Sequence, residues 1–181
     1  MPHVPRAPLA ARFPVHVTTR TVDIRCLRRG DVFRVVRDAL VAGADREGFR
    51  VAEFSVQANH LHLVCEASNR QALARGLQGL LIRIAKRLNR FLGRTGRVFR
   101  DRYHDRILRT PAEVRNVLSY VLHNARKHAR ENGRRVGRGW LDRCSSARAF
   151  FGLDPMVLPR AHTWLLREGW QRAGTLHPLA P

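Results

Sequence analysis

Two runs of strand-forming residues, Phe49 to Gln57 and His60 to Ala67, stand almost back to back in this chain, with only Ala58-Asn59 between them. A gap that short cannot hold a crossover connection, so the two runs must pair as an antiparallel hairpin. Successive side chains of a strand point to opposite faces. In the second run Leu61 and Leu63 therefore face a core while His60 and His62 stand side by side on the other face. The rest of the order follows by periodicity. Pro14 to Val22 alternates Val15, Val17 and Thr19 against His16, Thr18 and Arg20 and reads as a strand. Asp31 is the expected cap of a helix carrying Val32, Val35, Val36, Ala39 and Leu40, which ends near Gly48. Asn69 opens a longer helix through Leu73, Leu77, Leu80, Leu81, Ile84, Leu88 and Phe91, closed by Gly93. Tyr103 to Leu108 is a fourth strand, after Val98-Phe99. Thr110-Pro111 with Glu113 then starts a third helix whose apolar side is Val114, Val117, Leu118, Val121 and Leu122.

The order βαββαβ predicts an α+β fold with a ferredoxin-like sheet, two helices on one face, and an added C-terminal helix followed by a basic helical tail. We divide the 181 residues into an N-terminal extension (1–13), one domain (14–131) and a basic C-terminal extension (132–181), since the length suits a single core of ordinary size. Cys26, Cys65 and Cys144 show no CxxC spacing, which fits reduced thiols in a cytoplasmic protein. No run approaches the roughly 18 apolar residues of a membrane span, and no signal peptide is recognisable at the start. A soluble cytoplasmic protein with no membrane partner is expected.

Charge narrows the function. The formal net charge is +20, with 34 basic residues against 14 acidic, and Lys86 and Lys127 are the only lysines. Arginine's planar fork matches phosphate oxygens and stacks on bases, so a polyanionic partner is expected. A GC-rich genome would favour arginine over lysine, but it would not unbalance acids against bases. Arg94, Arg97, Arg100 and Arg102 surround Phe99 and precede Tyr103 and His104, a mixture of cations and rings suited to single-stranded or hairpin nucleic acid; a solvated loop is the plain alternative.

The chemistry-bearing residues are few. Two neutral imidazoles on one strand face can grip a divalent metal but need a third ligand, and without one such a pair is only a polar strand face. The third helix carries Tyr120 and Asn124 one turn apart on one side, so a phenol and an amide oxygen emerge together. His60, His62 and Asn124 could hold Mg²⁺ or Mn²⁺ with positions open to a phosphate, and Tyr120 could attack that phosphate in line. Its alternative is a helix tyrosine half buried against the sheet. Tyr103, beside Arg102 and Arg106, fits a DNA-stacking or core residue better than a nucleophile.

Taken together, Phe54 to Leu63 with its His60-Leu61-His62, Gly96-Arg97-Val98-Phe99 with Asp101-Arg102-Tyr103-His104, and Tyr120 with Asn124 resemble the single-tyrosine HUH transposases, within them the REP-associated branch. The resemblance covers roughly Pro14 to His128. It implies an enzyme of DNA transposition that recognises hairpins in single-stranded DNA and cuts beside them through a 5′-phosphotyrosyl intermediate, leaving a free 3′-OH. His60 and His62 match the metal pair, Tyr120 the nucleophile and Asn124 the polar residue completing the site. A monomer is favoured, as in that branch, with a homodimer as the form found among mobile-element relatives. A domesticated, catalytically silent hairpin-binding protein is the alternative function. Two departures stand out: Gln57-Ala58-Asn59 replaces Met-Pro-Asn, and Ala125-Arg126-Lys127 replaces Asn-Pro, so the third helix is expected to run on past Asn124.

Overall fold

The computed structural model describes residues 6–100, 103–131, 133, 135–137, 139–156 and 158–178. Strand β1 (Val15–Arg20) leads into helix α1 (Gly30–Val41), then a two-residue strand β2 (Asp45–Arg46), the hairpin β3 (Phe49–Val56) and β4 (His60–Ala67), helix α2 (Arg70–Phe91), strand β5 (His104–Ile107) and helix α3 (Pro111–Glu131). The tail adds short helices α4 (Ala147–Phe150) and α5 (Trp164–Arg167) and a 3₁₀ turn at Gly169–Ala173. Strand order is β2-β3-β4-β1-β5, and every neighbouring pair is antiparallel. With the short edge strand β2 set aside, this is the ferredoxin-like order the periodicity predicts, with β1 and β4 at the centre.

The hairpin closes through residues 57–59, where the Gln57 amide donates to the His60 carbonyl at 2.8 Å. A bulge between Val51 and Glu53 inserts Ala52 and turns both Ala52 and Glu53 toward the α3 side. Val15, Val17, Phe54, Leu61 and Leu63 pack on one face against Val36 and Leu40 of α1 and Leu73, Leu77, Ile84 and Leu88 of α2. Helix α2 comes close to the sheet at Gly76, where an added Cβ would stand 2.1 Å from the Phe49 ring. On the opposite face Val64 and Leu108 meet Val114, Leu118, Val121 and Leu122 of α3, together with Leu165, Leu166 and Trp170 of the tail. The sheet is thus covered on both sides, and the second cover is the helix that carries Tyr120.

Helix ends follow local chemistry. Asn69 caps α2 by accepting from the Ala72 amide at 2.9 Å. Thr110 and Glu113 cap α3 reciprocally: the Glu113 amide donates to Thr110 Oγ1 at 3.2 Å, and the Thr110 amide to Glu113 Oε2 at 3.1 Å. Asp31 is not the cap of α1. The helix begins at Gly30 behind Arg29, and Asp31 sits in its first turn, accepting from the Val32 amide and from Arg29 Nε. The helix also stops at Val41 rather than near Gly48, because Asp45–Arg46 leaves it to form the edge strand. With no proline after Asn124, α3 continues to Glu131.

The tail is tied to the sheet by polar bonds as well as by its core residues. The Glu66 carboxylate accepts from the amides of His162 and Thr163 at 2.8 and 2.7 Å. Arg28 grips Asp142 with both guanidinium nitrogens at 2.8 and 2.7 Å. Among the described residues no helix is long and apolar enough to cross a membrane.

Candidate active site

The site grows out of strand alternation. Leu61 and Leu63 are fully buried in the larger core, so His60 and His62 project from the other face. Register places Thr18 of β1 opposite His62 and Arg20 opposite His60. On the far side of β1, His104 of β5 lies opposite Thr18. Helix α3 crosses this face and brings Tyr120 to it: the phenol oxygen lies 3.4 Å from His62 Nε2, and the two rings meet edge to face with centroids 5.0 Å apart. The His60 and His62 rings are 4.8 Å apart. Tyr120 keeps 39% of its surface exposed.

Both imidazoles are held by their Nδ1 atoms. His60 Nδ1 lies 3.0 Å from Asn59 Oδ1. His62 Nδ1 lies 3.1 Å from Thr18 Oγ1 and 3.3 Å from His16 Nε2. Those partners leave Nε2 of each ring as the outward lone pair. Desolvation by burial, reinforced by the neighbouring cationic and histidine side chains, brings His60 down to about 4 and His62 to about 3. Burial and the charge of Arg106 likewise bring His16 to about 4. All three rings are therefore neutral at pH 7 and able to offer lone pairs.

Asn124, one turn beyond Tyr120, is 2% exposed, and neither its amide oxygen nor its amide nitrogen has a hydrogen-bond partner. Leaving such a group unsatisfied costs about 1–3 kcal/mol. Among the described residues no three His, Cys, Asp or Glu side chains come together as a metal-holding group. A divalent ion here would draw on the two imidazoles and, as a third donor, the unpartnered amide oxygen, nitrogen and oxygen donors of the kind Mg²⁺ and Mn²⁺ accept.

The remaining candidates divide. Arg100 is exposed, and its amide donates to the Arg20 carbonyl at 2.9 Å, next to the His60 row. His104 is exposed on the same face. Arg94 and Arg97 turn back on their own loop, donating to the carbonyls of Arg97 and Phe99. Phe99 is not a stacking platform: only 8% exposed, its ring belongs to the larger core. Tyr103 packs against that same core under the guanidinium of Arg6, 3.8 Å from the ring centroid, and its hydroxyl is buried without a partner. Arg102 lies outside the described residues. Sequence reasoning missed His16 and Thr18 as neighbours of His62, and His128 as an electrostatic neighbour of both His60 and His62. Alternation puts His16 and Thr18 on the right face, but only the β1–β4 pairing makes them neighbours.

No protein-family model matches the sequence, and no curated protein matches it. Among solved structures, a REP-associated tyrosine transposase bound to a REP hairpin superposes with a TM-score of 0.59 at 15% identity, covering 89% of this chain and 93% of that one. A second solved chain, from Deinococcus radiodurans, gives a TM-score of 0.46 at 14% identity, over 75% of this chain and 98% of that one, and carries no weight here. At 15% identity the first likeness is one of fold, and it agrees with the α+β sheet and helices described above.

Proposed function

We propose that this chain is a single-tyrosine HUH transposase of the REP-associated kind, which nicks and rejoins single-stranded DNA at hairpins. The observation that carries the reading is the approach of the Tyr120 hydroxyl to His62 Nε2 at 3.4 Å, with His60 alongside. His60, His62 and Asn124 would hold the divalent ion, Mg²⁺ or Mn²⁺. Such an ion, when bound, supplies Lewis-acid polarisation of the scissile phosphate. Asn59 and Thr18 keep the imidazoles turned with Nε2 outward. The phenol, ordinarily with a pKa of about 10, must lose its proton to act.

In the nicking step the Tyr120 oxygen bonds to phosphorus, the bond from phosphorus to the 3′ oxygen breaks, and that oxygen leaves as a hydroxyl after taking up a proton. One phosphodiester replaces another, so rejoining is the same exchange reversed and needs no nucleotide cofactor. Tyr120 and His62 meet within one chain, which favours a monomer. Exposed cations beside the site, Arg20 and Arg100 among them, suit the flanking phosphates.

The test incubates labelled single-stranded hairpins with Mg²⁺ or Mn²⁺ and looks for a denaturant-resistant protein–DNA adduct. Wild type is expected to form one, while Tyr120→Phe, His60→Ala and wild type in EDTA form none. An adduct that persists in Tyr120→Phe removes this tyrosine from the mechanism. Hairpin binding without any adduct in wild type favours the silent binding protein instead.

A further inference from the structure

Helix α2 contains no acidic residue in its 22 positions. Its inner side, Leu73, Leu77, Leu80, Ile84 and Leu88, is buried. Arg75, Arg83, Lys86, Arg87 and Arg90 stand outward and exposed. Other arginines sit beside carboxylates: Arg70, at the very start of α2, shares Asp105 with Arg6, Arg28 holds Asp142, and Arg106 holds Glu113. Among the described residues these five outward cations of α2 have no such partner. Two glycines shape the surface between them. A Cβ at Gly79 would stand 2.6 Å from Arg46 Nη1, and one at Gly43 3.4 Å from Arg83 Nε. Arg46 of the edge strand therefore lies across Gly79, beside a shallow groove of about 390 Å³ lined by Ile82, Arg83, Lys86, Arg87 and Arg90. This layer covers the face of the sheet opposite the one that faces α3 and Tyr120.

We infer that the outer face of α2 is a second nucleic-acid surface, which takes the phosphodiester backbone of B-form double-stranded DNA. Unpaired cations at this density, with no acid between them, are complementary to a polyanion. From Arg75 to Arg90 the stripe is about 22 Å long at 1.5 Å per residue, comparable with a run of about six phosphates along one strand. Unpaired strands are held by rings on which bases stack. Between Arg75 and Arg90 the face offers Ile82 as its exposed large apolar side chain; the exposed ring of Phe91 follows at the helix end, a single aromatic and not a row on which successive bases could stack. The wide major groove of B-form DNA admits a helix, whereas the deep, narrow one of an RNA duplex does not. Duplex binding of this kind needs neither Tyr120 nor the imidazoles, so it stands independently of the nicking reading.

The experiment measures fluorescence anisotropy of a blunt-ended DNA duplex, with no unpaired bases, against the full chain over a range of salt. Arg83→Gln, Lys86→Gln, Arg87→Gln and Arg90→Gln are combined in one variant. A charge-matched variant combines Arg25→Gln, Arg143→Gln, Arg167→Gln and Arg172→Gln. The α2 variant is expected to bind the duplex at least tenfold more weakly, with the slope of log K against log salt flatter by roughly 3. The charge-matched variant is expected to change far less, and thermal melts of both should match wild type. Equal weakening in the two variants, no duplex binding by wild type, or tighter binding to an RNA duplex of the same sequence would overturn the inference.

Discussion

Thr18 shows how one hydroxyl can govern the site. It sits opposite His62 in the register, and its Oγ1 lies 3.1 Å from His62 Nδ1, which fixes the ring so that Nε2 faces Tyr120. Replacement of the hydroxyl by a methyl keeps the volume and removes the bond. Thr18→Val is therefore expected to slow adduct formation roughly tenfold or more, as partners behind a ligating histidine commonly do, while the thermal melt stays close to wild type. Single-turnover adduct kinetics measure it, and an unchanged rate would show that the ring needs no such support. At this scale the sequence puts His60 and His62 on one side of their strand and Tyr120 and Asn124 on one side of their helix, because alternation and helical spacing fix the side of each within its own element. It does not show Thr18 and His16 as partners of His62, because strand pairing supplies that closeness. It misplaces Phe99, since an aromatic among arginines looks exposed until the sheet edge folds over it.

Among the elements, α3 depends most on its start. The Thr110–Glu113 box satisfies amides at the start of the helix that carries Tyr120. Thr110→Ala is expected to cost about 1 kcal/mol of stability, read as a lower denaturation midpoint with an unchanged slope. Asn69 and Thr110 were legible as caps because each stands directly before an apolar helical period. Asp31 was not, because a side chain inside the first turn and one at the cap look alike in sequence, and the cap of this helix is Arg29, two residues earlier. The bulge at Ala52 is equally silent in sequence. It is nonetheless what turns Glu53 toward the tail, where Ser146 donates a hydrogen bond to its carboxylate.

For the whole molecule, Glu53 links the clamping tail to pH. Burial raises its carboxyl to about 8, with the Ser146 hydrogen bond opposing the shift. In the unfolded chain it titrates near 4.5, so between those values the folded state holds a proton that the unfolded state has released. The contribution is complete below pH 4.5 and is lost as pH rises through 8. The buried histidines act in the other direction: neutral when folded, they lower stability as pH falls from 6.5 toward 4 and 3. Above about pH 7 the histidines are neutral in both states, so thermal melts of wild type should weaken from pH 7 to pH 8.5, and Glu53→Gln should flatten that decline. A decline of the same size in Glu53→Gln would place its origin elsewhere. By itself the sequence determined the order of the main strands and helices, which side of each is apolar, and that the chain carries a large unbalanced positive charge, since all of these depend on local spacing and composition. Only the tertiary structure decided that α3 and the tail cover the second face of the sheet, bringing Tyr120 to His62 from 58 residues away, because that contact depends on strand order and packing across the sheet.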